Sequence, residues 1–259
     1  MPESLAGFSP LYVENLFLLA VRTIAMLMTV PVFSSRSVPA IAKVGLGVLL
    51  AAVLLPMGAP LAEIPPSLGL FLIAVGRELL VGLLAGFAAT LVFAALQFAA
   101  SLTGLQVGLS MASTLDPASA QQGSVIDHLY LMLASLLFLG TNGHHLLLLG
   151  FQRLLDAIPL NSFSPGLVTS DRLATLFGNV FVAGVQIATP VIGALFLADV
   201  ALAIVARTAP QINVFFVGMP LKLALGIFTI FITLPVFTVQ AERLFGSIVS
   251  DINLLLRAN

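Results

Sequence analysis

Two adjacent histidines and one serine are the side chains whose types invite a test for metal binding or nucleophilic catalysis. They are His144 and His145 in GTNGHHLLLLG, and Ser110 in GLSMA. Adjacent residues on a helix point to different sides, unlike the i, i+4 histidines of HExxH, and no second cluster of Asp, Glu or His stands near them. A glycine-rich turn capped by Asn142 is the better reading of that run. GLSMA lacks the final glycine of GxSxG and follows no clear strand. A Ser/His protease would need Ser110 beside His128 or His144, and nothing in the spacing brings them together. The phosphate-cradling patterns GxxxxGKS/T and GxGxxG do not occur. The sequence therefore reads as a non-enzyme that uses no metal and no cofactor.

A different chemistry is written in the charges. Arg22, Arg77, Glu78, Asp199, Arg207 and Lys222 lie within or beside long apolar runs, where an unpaired charge is expensive. Arg77 and Glu78 are neighbours, so they cannot face each other on one helix. Each must reach a different partner, or they mark a break after Gly76. Arg22 lies eight residues after Glu14, about two turns on, on the same helical face. Asp199 and Arg207 have the same spacing. Lys222 follows Pro220 at what reads as a helix start, an unfavourable place for a cation, so it should seek a carboxylate elsewhere. Pairing between helices or subunits is the reading adopted for Arg77, Glu78, Asp199, Arg207 and Lys222, in preference to a proton or ion relay or to snorkelling.

The elements that must position these charges are apolar helices. Of 259 residues, 59% are hydrophobic and 8% charged, against about 25% charged in a soluble domain, and mean hydropathy is +1.14. A soluble monomer is excluded, and so is a disordered chain. The net charge of −1 leaves no basic stripe for nucleic acid. Without cysteine there is no disulfide and no thiolate. No Lys or Arg precedes the first apolar run, which reads as retained rather than as a cleaved signal.

Apolar segments fall at 11–32, 44–62, 68–106, 128–151, 173–206 and 212–240. With about 20 apolar residues per crossing, six spans is the routine expectation. Three features fit a simple bundle badly. The third run is too long for one span and marginal for two with a turn. There is no Trp, and Tyr12 and Tyr130 are the only tyrosines, so the usual aromatic belt is missing. A six-span threading puts Arg36, Lys43 and Arg207 on one side and Arg153, Arg172, Arg243 and Arg257 on the other, which chooses no orientation. Much of the apolar surface is therefore expected to meet other protein rather than lipid. Gly82 with Gly86, and Gly104 with Gly108, form GxxxG pairs, and Ala94, Ala95, Ala99 and Ser101 extend a small-residue face suited to close helix packing.

The least hydrophobic interior stretch is LQVGLSMASTLDPASAQQGSV, 105–125. Asp116 and Pro117 read as an N-cap and first-turn proline opening a short helix at Ala118–Gln122. Irregular backbone at membrane depth must lie within protein or line a cavity, so a re-entrant element or pore plug competes here with a plain loop.

Five stretches carry a resemblance: PVFSSRSVPAIAKVGLG (31–47), GRELLVGLLAGF (76–87), GLQVGLSMASTLDPASAQQ (104–122), LGTNGHHLLL (139–148) and APQINVFFVGMPLKL (209–223). In this order, over nearly the whole chain, they resemble the flagellar type III export-gate family FliR and its injectisome counterpart SctT. The resemblance implies an all-α fold of apolar helical hairpins with broken helices. A FliP-like part, residues 1–179, would be followed by a FliQ-like hairpin, residues 180–259. It implies one copy of the chain with FliP and FliQ in a helical channel of the bacterial inner membrane, in the flagellar basal body and largely on its periplasmic side. FlhB and FlhA would be neighbours, unfolded export substrates the cargo, and lipid peripheral. The family's plug corresponds to residues 106–122, with Gln106, Gly108, Ser110, Met111, Asp116, Pro117, Gln121 and Gln122. Met111 would lie near a methionine-lined constriction built mainly by FliP. Lys222 matches a lysine that pairs with carboxylates of neighbouring subunits. The alternative reading is a secondary transporter with broken helices at its midplane, though no internal repeat between the motif-bearing stretches supports it.

Overall fold

A computed structural model of the chain describes residues 9–35, 37–56, 62–63, 67–108, 124–164, 166, 168–211 and 213–256. Among these the regular structure is entirely helical: α1 (Pro10–Thr29), α2 (Pro31–Ser34), α3 (Ala40–Leu54), α4 (Leu68–Val107), α5 (Val125–Gly140), α6 (Gly143–Ala157), α7 (Ser170–Thr208) and α8 (Val214–Leu256). Local chemistry sets several ends. Ser9 caps α1 by accepting from the Tyr12 N–H at 3.2 Å, and Pro10 opens the first turn. Ser124 and Asp127 form a capping box at α5, with the Ser124 N–H donating to Asp127 at 2.6 Å and the Ile126 N–H to Ser124 at 3.0 Å. Asn142, with φ 60°, breaks the chain between α5 and α6.

The six-span expectation is corrected. Four described helices, α1, α4, α7 and α8, are long and apolar enough to cross a membrane, or five spans if α5 and α6 count as one broken span. The 44–62 run supplies only the 15 residues of α3. The third run becomes one unbroken helix of 40 residues. No proline falls within it, so nothing interrupts the backbone hydrogen bonds after Gly76. At 1.5 Å per residue α4 is about 60 Å long, roughly twice a hydrocarbon core. The 39 residues of α7 and 43 of α8 have similar reach, and both carry prolines inside the helix (Pro190; Pro220 and Pro235).

The chain divides into two compact units, interleaved along the sequence. The first comprises residues 1–91, 144–176 and 246–259; the second, 92–143 and 177–245.

In the first unit α1 packs on α3 and on the N-terminal half of α4. The Gly82–Gly86 pair is the contact surface. A Cβ at Gly82 would strike the Arg22 carbonyl, and one at Gly86 would strike Thr29 and the Met26 carbonyl. Thr90 then donates to the Thr29 carbonyl at 2.9 Å and Thr23 to the Gly47 carbonyl at 2.9 Å. Side-chain hydroxyls bonding backbone across closely packed helices is the pattern expected where lipid gives no hydrophobic drive. The second GxxxG pair behaves otherwise. Gly108 ends α4 with φ +92°, donating back to the Gly104 carbonyl at 3.1 Å, a left-handed helix stop rather than a packing contact.

In the second unit the core is aromatic. Phe93, Phe138 and Phe245 meet edge-on or tilted with ring centroids 5.3–5.6 Å apart, Tyr130 lies edge-on to Phe237 and Phe98 to Phe181. Such pairs each add about 0.5–1.5 kcal/mol beyond area burial. By contrast the long helices leave large apolar side chains uncovered, among them Phe196, Leu197, Phe216, Phe228 and Phe231.

Candidate functional site

Of the charges singled out in the apolar runs, five fall into two clusters, one in each unit: Arg22, Arg77 and Glu78 in the first, Asp199 and Lys222 in the second. In the first, Arg22 is fully buried on α1. Its Nε donates to Glu78 of α4, itself fully buried; Nη1 donates to the Ile158 carbonyl at 2.8 Å and Nη2 to the Pro159 carbonyl at 3.5 Å. The other Glu78 oxygen accepts the Asn161 N–H at 2.7 Å, while Arg77 donates to the Asn161 carbonyl at 3.2 Å. Adjacent residues on α4 thus grip the two backbone groups of one residue, Asn161, held at φ 61°. No helix break separates Arg77 from Glu78: Glu78 alone pairs with Arg22, and both meet Asn161, one at its C=O and the other at its N–H. Arg22 does not use Glu14, whose Oε2 is buried with no hydrogen-bond partner among the described residues. Asn15, next to it and buried, ties α1 to Ala62 by bonds of 3.1 and 2.9 Å.

In the second unit Asp199 of α7 and Lys222 of α8 form an ion pair at 2.8 and 3.0 Å. Gln106, in the last turn of α4, donates to the same carboxylate at 3.4 Å. The pair is only partly covered: the side chains are 42% and 26% exposed for Asp199 and Lys222 respectively. Asp199 therefore meets Lys222 and not Arg207, which lies exposed in the last turn of α7, where a cation complements the helix dipole. Lys222 finds its carboxylate within its own chain. The expected helix start at Pro220 is also corrected: α8 begins at Val214, with Phe215 N–H donating to the Asn213 side chain at 3.2 Å, and Pro220 lies inside the helix.

Beside the cluster is a cavity of about 320 Å³, lined by Leu105, Gly108, Leu202, Phe215 and Met219 with Asp199 and Lys222 at one side. Ser110, Met111, Asp116, Pro117, Gln121 and Gln122, and the short helix expected at Ala118–Gln122, lie outside the described residues. His144 and His145 sit in the first turn of α6 with rings 4.4 Å apart. Among the described residues no group of three His, Asp or Glu is placed to hold a metal.

Sequence reasoning missed the Arg22–Glu78 pair, because 56 residues separate its members and only the fold brings them together. It also missed the Ser124–Asp127 capping box, although S-x-x-D before an apolar run is a readable signal.

Four helices long and apolar enough to cross a membrane, in a chain whose described regular structure is all helical, define an all-α, membrane-type protein. The chain belongs to the bacterial export proteins, family 1, which it matches over residues 13–248. It is similar to the flagellar biosynthetic protein FliR of Bacillus subtilis (34% identical over 245 residues, 92% of this chain and 93% of the relative). FliR of Escherichia coli is likewise 34% identical over 232 residues, 88% of this chain and 87% of the relative. Yop proteins translocation protein T of Yersinia pestis is 32% identical over 157 residues, 60% of each chain.

Proposed function

We propose that this chain is a subunit of the flagellar type III export gate, forming with FliP and FliQ the channel through which unfolded flagellar proteins cross the bacterial inner membrane. The observation that carries the reading is 34% identity to a flagellar FliR over 92% of this chain. The large uncovered apolar side chains of α7 and α8 support it, since helices about twice a bilayer in length need protein as well as lipid around them. Residues 1–179 are the FliP-like part and 180–259 the FliQ-like hairpin; FlhB and FlhA are neighbours. The segment 106–122 plugs the channel at rest, and passing substrate displaces it while adaptable methionines, Met111 among them, seal around the moving chain. No nucleotide-binding motif occurs, so the driving energy comes from other components.

Native mass spectrometry of the tagged protein, purified from membranes in which its genomic neighbours are co-expressed, tests the class. One copy of this chain with several FliP-like and FliQ-like chains is the expected result. A monomer or homodimer indifferent to those neighbours overturns it in favour of a transporter. Deleting Gln106–Gln122 should raise leakage of small solutes through the assembled complex; unchanged leakage from an intact complex removes the plug.

A further inference from the structure

Three separate pieces of the first unit meet at the buried charges: α1, the N-terminal half of α4, and the backbone of residues 158–161 beyond α6. α1 and α4 run parallel, since residues 22, 25, 26 and 29 of one meet 78, 82, 86 and 90 of the other in rising order. Along this seam α4 offers Gly82, Gly86, Thr90 and Ala94, one small residue in every turn. A pattern that repeats every four residues looks much the same to its partner after a slip of one turn, about 6 Å. The glycines exclude that slip in one direction, in which the side chain of residue 78 would enter the seat of Gly82, where even a Cβ strikes the Arg22 carbonyl. In the other direction Gly86 fits the seat of Gly82, and resistance comes mainly from Thr90 entering the seat of Gly86 beside Thr29.

The charges do not repeat. α1 carries only Glu14 and Arg22, and α4 only Arg77 and Glu78. A one-turn slip would set Arg22 opposite Gly82 and leave both members of a fully buried pair without a counter-charge. It would also pull Arg77 and Glu78 off the C=O and N–H of Asn161. We propose that the Arg22–Glu78 cluster is a register lock: packing draws α1 and α4 together, and the cluster selects one alignment of the two helices and fastens residues 158–161 to it. A buried ion pair adds little to stability over apolar side chains of the same size, yet stranding its members costs a great deal, which is the energetic profile of an alignment device. The lock lies wholly inside the first unit and needs no partner subunit.

The sequence has no cysteine, so two introduced thiols report alignment without background. In the complete complex, co-expressed with its partners, a disulfide between Thr29→Cys and Thr90→Cys reads the observed register, and one between Thr29→Cys and Ala94→Cys the slipped register. With the charges intact the 29–90 bridge should exceed the 29–94 bridge by about tenfold or more, a lower bound on the bias that stranding a buried pair imposes. Arg22→Met with Glu78→Leu removes that bias and should raise the 29–94 fraction by about tenfold. Leu18→Arg with Arg22→Leu moves the cation back one turn on the same buried face. Pairing with Glu78 then requires the slipped register, so the 29–94 bridge should become dominant. Leu18→Gln with Arg22→Leu supplies no charge and should not invert the ratio. An apolar pair that keeps the wild-type ratio, a relocated cation that leaves the 29–90 bridge dominant, or inversion by the uncharged variant overturns the lock, because packing would then set the register. Loss of both the apolar pair and the relocated cation from the membrane overturns it as well, since the cluster would then supply stability and not alignment.

Discussion

The two charge clusters are built from the same kinds of side chain and are opposite in character. Arg22 and Glu78 are sealed from solvent, and among the described residues their hydrogen bonds beyond each other go to backbone: the Ile158 and Pro159 carbonyls and the Asn161 N–H. Asp199 and Lys222 are partly exposed and share their carboxylate with a neutral amide. The first cluster is locked inside its unit and the second stays open to its surroundings. Burial makes the difference, since desolvation turns the loss of one partner from a small cost into a large one.

The comparison can be broken by substitution. Glu78→Ala should have the largest effect, about 3–5 kcal/mol of destabilisation, because it leaves the Arg22 guanidinium charged and unpaired in the interior. Thermal unfolding of the purified complex, or its failure to be recovered, reads this out. Arg22→Met with Glu78→Leu should regain only part of that loss, since the Asn161 N–H and two carbonyls stay unsatisfied. Gly86→Val comes next, about 1–3 kcal/mol or more, because the new side chain meets Thr29 and the Met26 carbonyl; the same assay measures it. Ser124→Ala should cost about 1 kcal/mol through loss of the α5 cap, seen as faster hydrogen exchange confined to residues 125–128. Asp199→Asn should cost least, about 1 kcal/mol or below. If it matched Glu78→Ala in the unfolding assay, the distinction between a sealed and a partly exposed cluster would be lost.

Fold class was legible from composition: 8% charge over 259 residues leaves few choices but apolar helices. The unbroken α4 was not legible: its lack of proline permits one helix, but its length argues for a turn or a break after Gly76 when a bilayer is the only yardstick. Nor were the partners of the charges. Arg77, Glu78, Asp199 and Lys222 stand out in the sequence as costly residues. Helical periodicity, however, reports only neighbours three, four or eight residues away, and it pointed Arg22 to Glu14 and Asp199 to Arg207. The actual partners lie 56 and 23 residues off, a relation set by how helices cross. Gln106 drew notice as part of a polar stretch, with no sign that its amide would find a carboxylate 93 residues on.

Arg77 and Glu78 have one more implication. They read the N–H and C=O of Asn161, groups that every residue except proline possesses, so their grip is indifferent to which side chain residue 161 carries. What it does require is the left-handed backbone. The cluster therefore acts as a gauge of chain conformation at that point: Asn161→Gly should pass it unchanged, and Asn161→Val, strained at positive φ, should not.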